Sequence, residues 1–175
     1  TVHFTGNVRL GRPERTPESR SVGVADGPTI GSDDVYAFYF HGPAYRVVSS
    51  AWRSAETSVA AWSEQLPANH EPAELPLLTA PRLVELCFQT AGLWEAGREA
   101  RLALPMAVGS VRVVGDPAAG ALHAVARPTG DGSFDCAVVA GDGTVVVRLD
   151  GYRTVALPAQ IPDGIADTLR ATYAG

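Results

Sequence analysis

The chain contains no lysine. All fourteen of its basic residues are arginine, and nineteen carboxylates leave a formal net charge of −5. No global basic field is available to draw in nucleic acid. Cysteine is equally scarce. Cys87 and Cys136 stand alone without Cys-x-x-Cys spacing, which argues against a zinc ligand set and a disulfide scaffold. Both read as reduced, buried residues. No apolar run approaches the ~18 residues that a membrane helix needs. The opening Thr1-Val2-His3-Phe4 has neither an initiator methionine nor a basic-then-apolar secretion signal, so an excision point or a processed end is expected there, and a cytoplasmic protein. The missing lysine accompanies abundant Ala, Gly, Pro and Val, the composition of a GC-rich genome such as an actinobacterium's, and implies no charge-specific function.

What is present suits one soluble domain. The 175 residues are 46% hydrophobic, and mean hydropathy is +0.04. Residues 2–10 alternate apolar and polar, predicting an opening strand, and 11–32 read as a long surface loop. Residues 33–40 begin with two carboxylates and continue in aromatics, predicting a short helix or turn. Two strands are expected at 46–53 and 56–63, then a proline-rich connection over 64–80. Thr79 caps and Pro81 opens the clearest helix, 81–98. Strand-like runs follow at 101–115, 119–127, 134–140 and 143–149, with Gly-Asp-Gly turns between the last three. An edge strand at 152–157 and a terminal helix at 162–173 complete the reading. The fold class is α+β: one long central helix, apolar nearly all round, set among antiparallel strands. A curved antiparallel sheet wrapped around such a helix is the hotdog arrangement.

Glu85 and Gln89 lie four apart on that helix, and Gly92 follows on the same side, allowing something to approach closely. Taken alone, such a pair is a solvated face. His41 precedes the Gly42-Pro43 punctuation and reads either as a packed loop residue or as channel lining. Trp52, Trp62 and Trp94 read as core or sheet-face aromatics.

Three segments, in order, resemble the dehydratase domains of type I polyketide synthases. Phe40-His41-Gly42-Pro43-Ala44-Tyr45 is similar to a Tyr-Gly-Pro-x-Phe motif. Ala80-Pro81-Arg82-Leu83-Val84-Glu85-Leu86-Cys87-Phe88-Gln89 looks like His-Pro-x-x-Leu-Asp-x-x-x-Gln. Leu102-Ala103-Leu104-Pro105-Met106 is similar to a Leu-Pro-Phe motif. The resemblance implies a double-hotdog dehydratase of which residues 1–175 form the second, C-terminal hotdog, with the first half absent. It implies removal of water from a β-hydroxyacyl thioester on an acyl carrier protein. Glu85 takes the place of the acidic Asp, and Gln89 orients it. His41, Gly42, Pro43, Tyr45, Leu104 and Pro105 would bind substrate.

The family's base is a His in a His-x-x-x-Gly-x-x-x-x-Pro motif of the first hotdog. His3, His41, His70 and His123 all fail that pattern. Ala80, Glu85 and Met106 also depart from the family's His, Asp and Phe. The Glu variant suggests an iterative or divergent synthase. The implied partners are the carrier protein with its phosphopantetheine-linked chain, the first hotdog half and other synthase domains. No metal or organic cofactor is implied, since proton transfers suffice. Three arrangements stay open: an enzyme half inactive in isolation, a catalytically inactive structural or interaction domain, and a free-standing hotdog acting as a homodimer.

Overall fold

The computed structural model describes all residues except 4, 10, 12–17, 69, 74–79, 115–119 and 175. The elements run β1 (Thr29–Gly31), α1 (Ser32–Phe38), a 3₁₀ turn (Pro43–Tyr45), β2 (Val48–Ser54), β3 (Thr57–Trp62) and α2 (Pro81–Glu99). There follow β4 (Ala103–Ala107), β5 (Ser110–Val113), β6 (Leu122–Pro128), β7 (Ser133–Ala140), β8 (Val145–Ala156) and α3 (Asp163–Tyr173). Every pairing is antiparallel, in the order β1-β2-β3-β6-β7-β8-β4, and β5 also pairs with β8. The sheet curves over α2, which packs against β2, β3, β4, β6, β7 and β8. This is the α+β hotdog fold expected from the sequence.

Helix α2 starts at Pro81, whose missing N–H costs nothing in the first turn, and stops at Ala100, which turns left-handed at φ 51°. An ordinary surface helix shows one apolar stripe. Here residues 89–96 are buried all round, because sheet lies on one side and α1 and α3 on the other. Two glycines inside α2 each cost about 1 kcal/mol relative to alanine in helix propensity. Packing explains both. A Cβ on Gly97 would meet the Tyr173 ring at 2.5 Å, and one on Gly92 would meet the Tyr39 hydroxyl at 2.5 Å. Tyr173 is fully buried, shares a 2.9 Å hydrogen bond with Ser58 and meets Trp94 edge-on. In this way α3 is keyed to both α2 and β3.

Strand β7 is buried on both faces. Phe134, Cys136, Val138 and Ala140 face the core around α2, while Ala137 and Val139 join a second small cluster with Val145. The C-terminal end of α2 is tied to β8 by Glu95, which is only 2% exposed. Arg101 and Thr154 both donate to its Oε1, the latter at 2.7 Å.

Several sequence expectations are corrected. Residues 1–3 and 5–9 form no strand and are exposed; alternation without a partner edge does not make a strand. The expected separate edge strand at 152–157 is the continuation of β8, carried through Gly151 at φ +64°. The run 101–115 divides into β4 and β5, and both lie on β8. Thr79, expected to cap α2, lies outside the described residues; Ala80 occupies the N-cap position and makes no side-chain cap.

Two outcomes follow for stability. Gly97→Ala is expected to lower the urea midpoint, because overpacking of ~1–3 kcal/mol exceeds the helix-propensity gain of ~1 kcal/mol. An unchanged midpoint would mean that Tyr173 moves aside freely. His123 on β6 meets Trp52 edge-on, and burial holds its pKa below the ordinary 6.5. The folded state favours the neutral ring, so the unfolded chain takes up a proton first and stability falls as pH drops through that value. Burial raises the carboxyls of Glu18 and Asp150, but hydrogen bonds from Arg148 and other donors outweigh it and hold both below their ordinary 4.5 and 3.8. Their contribution is lost only at more acid pH. Denaturant titrations from pH 8 to pH 5 (roughly the interval spanning the imidazole value) should lose stability in the native chain and stay flatter in His123→Asn.

Candidate active site

Helix α1 points Tyr36 inward, and the extended run Tyr39-Phe40-His41 carries the chain into the 3₁₀ turn. The Tyr45 N–H closes that turn on the Gly42 carbonyl at 2.9 Å. This segment passes over the second and third turns of α2, where Glu85 and Gln89 stand on one face.

Gln89 is 2% exposed. Its Nε2 donates to the Tyr45 carbonyl at 2.9 Å and to Glu85 Oε1 at 3.0 Å. Its Oε1 accepts from the Tyr36 hydroxyl at 2.8 Å, and that hydroxyl accepts from the Val48 N–H at 2.7 Å. Only one orientation of the amide satisfies this set. The Tyr39 hydroxyl donates to the Gln89 backbone carbonyl at 3.1 Å, in the space that Gly92 leaves open. Burial pushes the Tyr36 and Tyr39 hydroxyls well above their ordinary range, so both remain donors at neutral pH.

The Glu85 side chain is 21% exposed, and its Oε1 also lies 2.9 Å from His41 Nε2. Both contacts fall on the same carboxyl oxygen. Glu85, Gln89 and His41 form the polar pole of a cavity of about 280 Å³. Its remaining wall is largely apolar, from Phe38, Phe88, Leu102, Leu104, Pro105, Tyr152 and Leu157. Phe88 and Tyr152 stack at 4.6 Å. A pole with a carboxyl and a greasy wall suits proton chemistry at the head of an aliphatic chain.

Of the residues singled out in the sequence, Glu85, Gln89, His41, Leu104 and Pro105 line this cavity. Gly42, Pro43 and Tyr45 do not. They build the turn that supplies the Tyr45 carbonyl to Gln89. Sequence reasoning missed Tyr36, Tyr39, Phe88 and Tyr152. The spacing of Tyr36 and Tyr39, one helical turn apart, was the available signal. Cys87 is fully buried in the core, and its carbonyl accepts a long contact from the Cys136 thiol at 3.9 Å. The hydrogen bond with Cys87 and burial push the Cys136 thiol up. Among the described residues no group of His, Cys, Asp and Glu gathers to hold a metal ion, and no helix is long and apolar enough to cross a membrane.

Comparison with known proteins agrees with this architecture. The family described as "Polyketide synthase dehydratase N-terminal domain" matches residues 18–164. The chain belongs to the polyketide synthase dehydratase family. Among solved structures it is similar to the dehydratase domain from the CurF module of curacin polyketide synthase, at 17% identity and a TM-score of 0.64, covering 83% of this chain and 55% of that one. It is similar to the dehydratase domain of PpsC from Mycobacterium tuberculosis in complex with C12:1-CoA, at 20% identity and a TM-score of 0.60, covering 79% of this chain and 55% of that one. A fusion DH domain shares 24% identity at a TM-score of 0.56, with 83% and 52% covered. At these identities the likeness establishes the fold. The chain spans about half the length of these solved domains. No curated protein matches it.

Tyr36 holds Gln89 by one hydroxyl while satisfying the buried Val48 N–H. Tyr36→Phe is therefore expected to cost ~1–3 kcal/mol by leaving buried groups unpaired. Equilibrium denaturation checks this, and a variant as stable as the native chain would show that water replaces the hydroxyl.

Proposed function

We propose that the chain is the second hotdog of a polyketide synthase dehydratase, and that it supplies the acid for loss of water from a β-hydroxyacyl chain on an acyl carrier protein. The observation that carries this reading is Glu85, whose carboxyl stands on the cavity wall with its Oε1 tied to Gln89. Elimination needs a base for the α proton and an acid for the departing β-hydroxyl. Glu85 protonates that hydroxyl as its C–O bond breaks. The electrons of the α C–H bond form the double bond, and the products are water and an α,β-unsaturated acyl chain. The base is an imidazole from the first hotdog. Gln89 fixes the carboxyl, and the apolar wall with Leu104 and Pro105 holds the chain. C12:1-CoA bound to the PpsC domain supports an acyl thioester as the ligand class.

A second reading keeps the fold without the chemistry. Glu85 is one methylene longer than the family's Asp, and displacement near 1 Å can cost ~100-fold in rate. On that reading the chain is an inactive structural or interaction domain of the synthase.

The parent domain, assayed with a β-hydroxyacyl carrier protein, separates the two. Glu85→Gln is expected to lower turnover by about 100-fold or more, in line with the 10²–10⁴ of general acid catalysis. Turnover unaffected by the change removes Glu85 from the chemistry, and absence of turnover in the unaltered domain favours the structural reading.

A further inference from the structure

We infer that His41 is a positioning residue that holds Glu85 by one oxygen and so assigns the transferable proton to the other. The inference rests on the proposed function and adds a role that binding of substrate by His41 does not contain.

The imidazole is clamped before any ligand arrives. Phe40 stacks on it at 5.3 Å with rings 7° from parallel, and Tyr39 meets it edge-on at 5.4 Å. Tyr36 approaches edge-on at 6.4 Å. Arg46 donates to the His41 carbonyl at 3.3 Å, which fixes the backbone beneath the ring. Held in this way, Nε2 lies 2.9 Å from Glu85 Oε1. On its other side the ring has no partner: Nδ1 is buried without a hydrogen bond. A buried N–H left unpaired is costly, whereas a bare ring nitrogen at that position forfeits less. The arrangement that fits puts the proton on Nε2, aimed at Glu85.

Glu85 Oε1 therefore accepts from two N–H groups, His41 Nε2 and Gln89 Nε2. When such a carboxyl is protonated, the oxygen that accepts two donors stays the acceptor and the proton sits on the other. The hydrogen bond and the ion-pair contact of Glu85 both fall on Oε1, and Glu85 lines the cavity, so on this inference the O–H on Oε2 is the one offered to the ligand. When the proton passes from Oε2 to the β-hydroxyl oxygen, the C–O bond breaks and water leaves. The negative charge remaining on Glu85 is already held by two donors that need not move. Meanwhile the α proton goes to the imidazole base of the first hotdog, which balances the step.

The parent domain is the material for the test, with a β-hydroxyacyl carrier protein as substrate. His41→Phe keeps a flat ring and removes the donor. It is expected to lower kcat about 10- to 100-fold, the scale of a misplaced acid, with KM little changed. His41→Gln restores an N–H at similar reach and should recover most of the loss. Nitrogen-15 NMR of histidine-labelled parent domain should show His41 protonated at Nε2 and bare at Nδ1. Full activity in His41→Phe while Glu85→Gln is inactive overturns this inference and leaves the proposed function standing. A proton on Nδ1 with Nε2 bare also overturns it, whatever the variants do. Full activity in Glu85→Gln overturns the proposed function and this inference together.

Discussion

One buried amide constrains the rest. Gln89 sits in the most enclosed stretch of α2, where an unpaired polar atom costs ~1–3 kcal/mol. Its three arms are met by three different parts of the chain: the Tyr36 hydroxyl from α1, the Tyr45 carbonyl from the 3₁₀ turn and Glu85 from its own helix. The segment 36–45 is thereby fastened across α2. That fastening closes the polar pole of the cavity and brings His41 over the carboxyl. The hydrogen-bonding demand of a core residue sets the geometry of the Glu85 carboxyl.

The same helix reconciles two requirements that usually conflict. To be packed between the sheet and α1 and α3, α2 must be apolar on nearly every side; to supply the proposed acid, it must carry a carboxyl. The chain separates the two along the axis. Glu85 stands near the N-terminal end, at the cavity, where it is partly exposed. The deeply buried Glu95, nearly three turns on, is instead paired with Arg101 and Thr154 and clamps the helix to β8. Two glutamates on one helix thus have different roles, set by their surroundings.

The reading of α2 from sequence came within one residue of the observed helix, because a proline start and a continuous apolar pattern leave little choice. Glu85, Gln89 and His41 were singled out only through the ordered motifs, and the structure brings all three to one cavity; spacing alone would have left Glu85 and Gln89 on a solvated face. What stayed hidden depends on contacts distant in sequence. Nothing local shows that residues 2, 3 and 5–9 form no strand, or that Gly151 lets β8 run on. The aromatic side chains of Tyr36, Tyr39, Phe88 and Tyr152 come from three places in the chain: the end of α1, α2 and β8. Gly42, Pro43 and Tyr45 show another limit: the motif was visible, but its use as a backbone turn serving Gln89 rather than as cavity wall was not.

The cavity is also divided by what builds it. Glu85 and Gln89 project from a rigid rod, whereas Leu157, Ala159, Gln160 and Pro162 belong to the connector between β8 and α3. Connectors tolerate insertion and exchange that a core helix does not. Reach and breadth for the tail of a guest molecule can therefore drift among relatives through that strap alone, while the reacting end stays anchored.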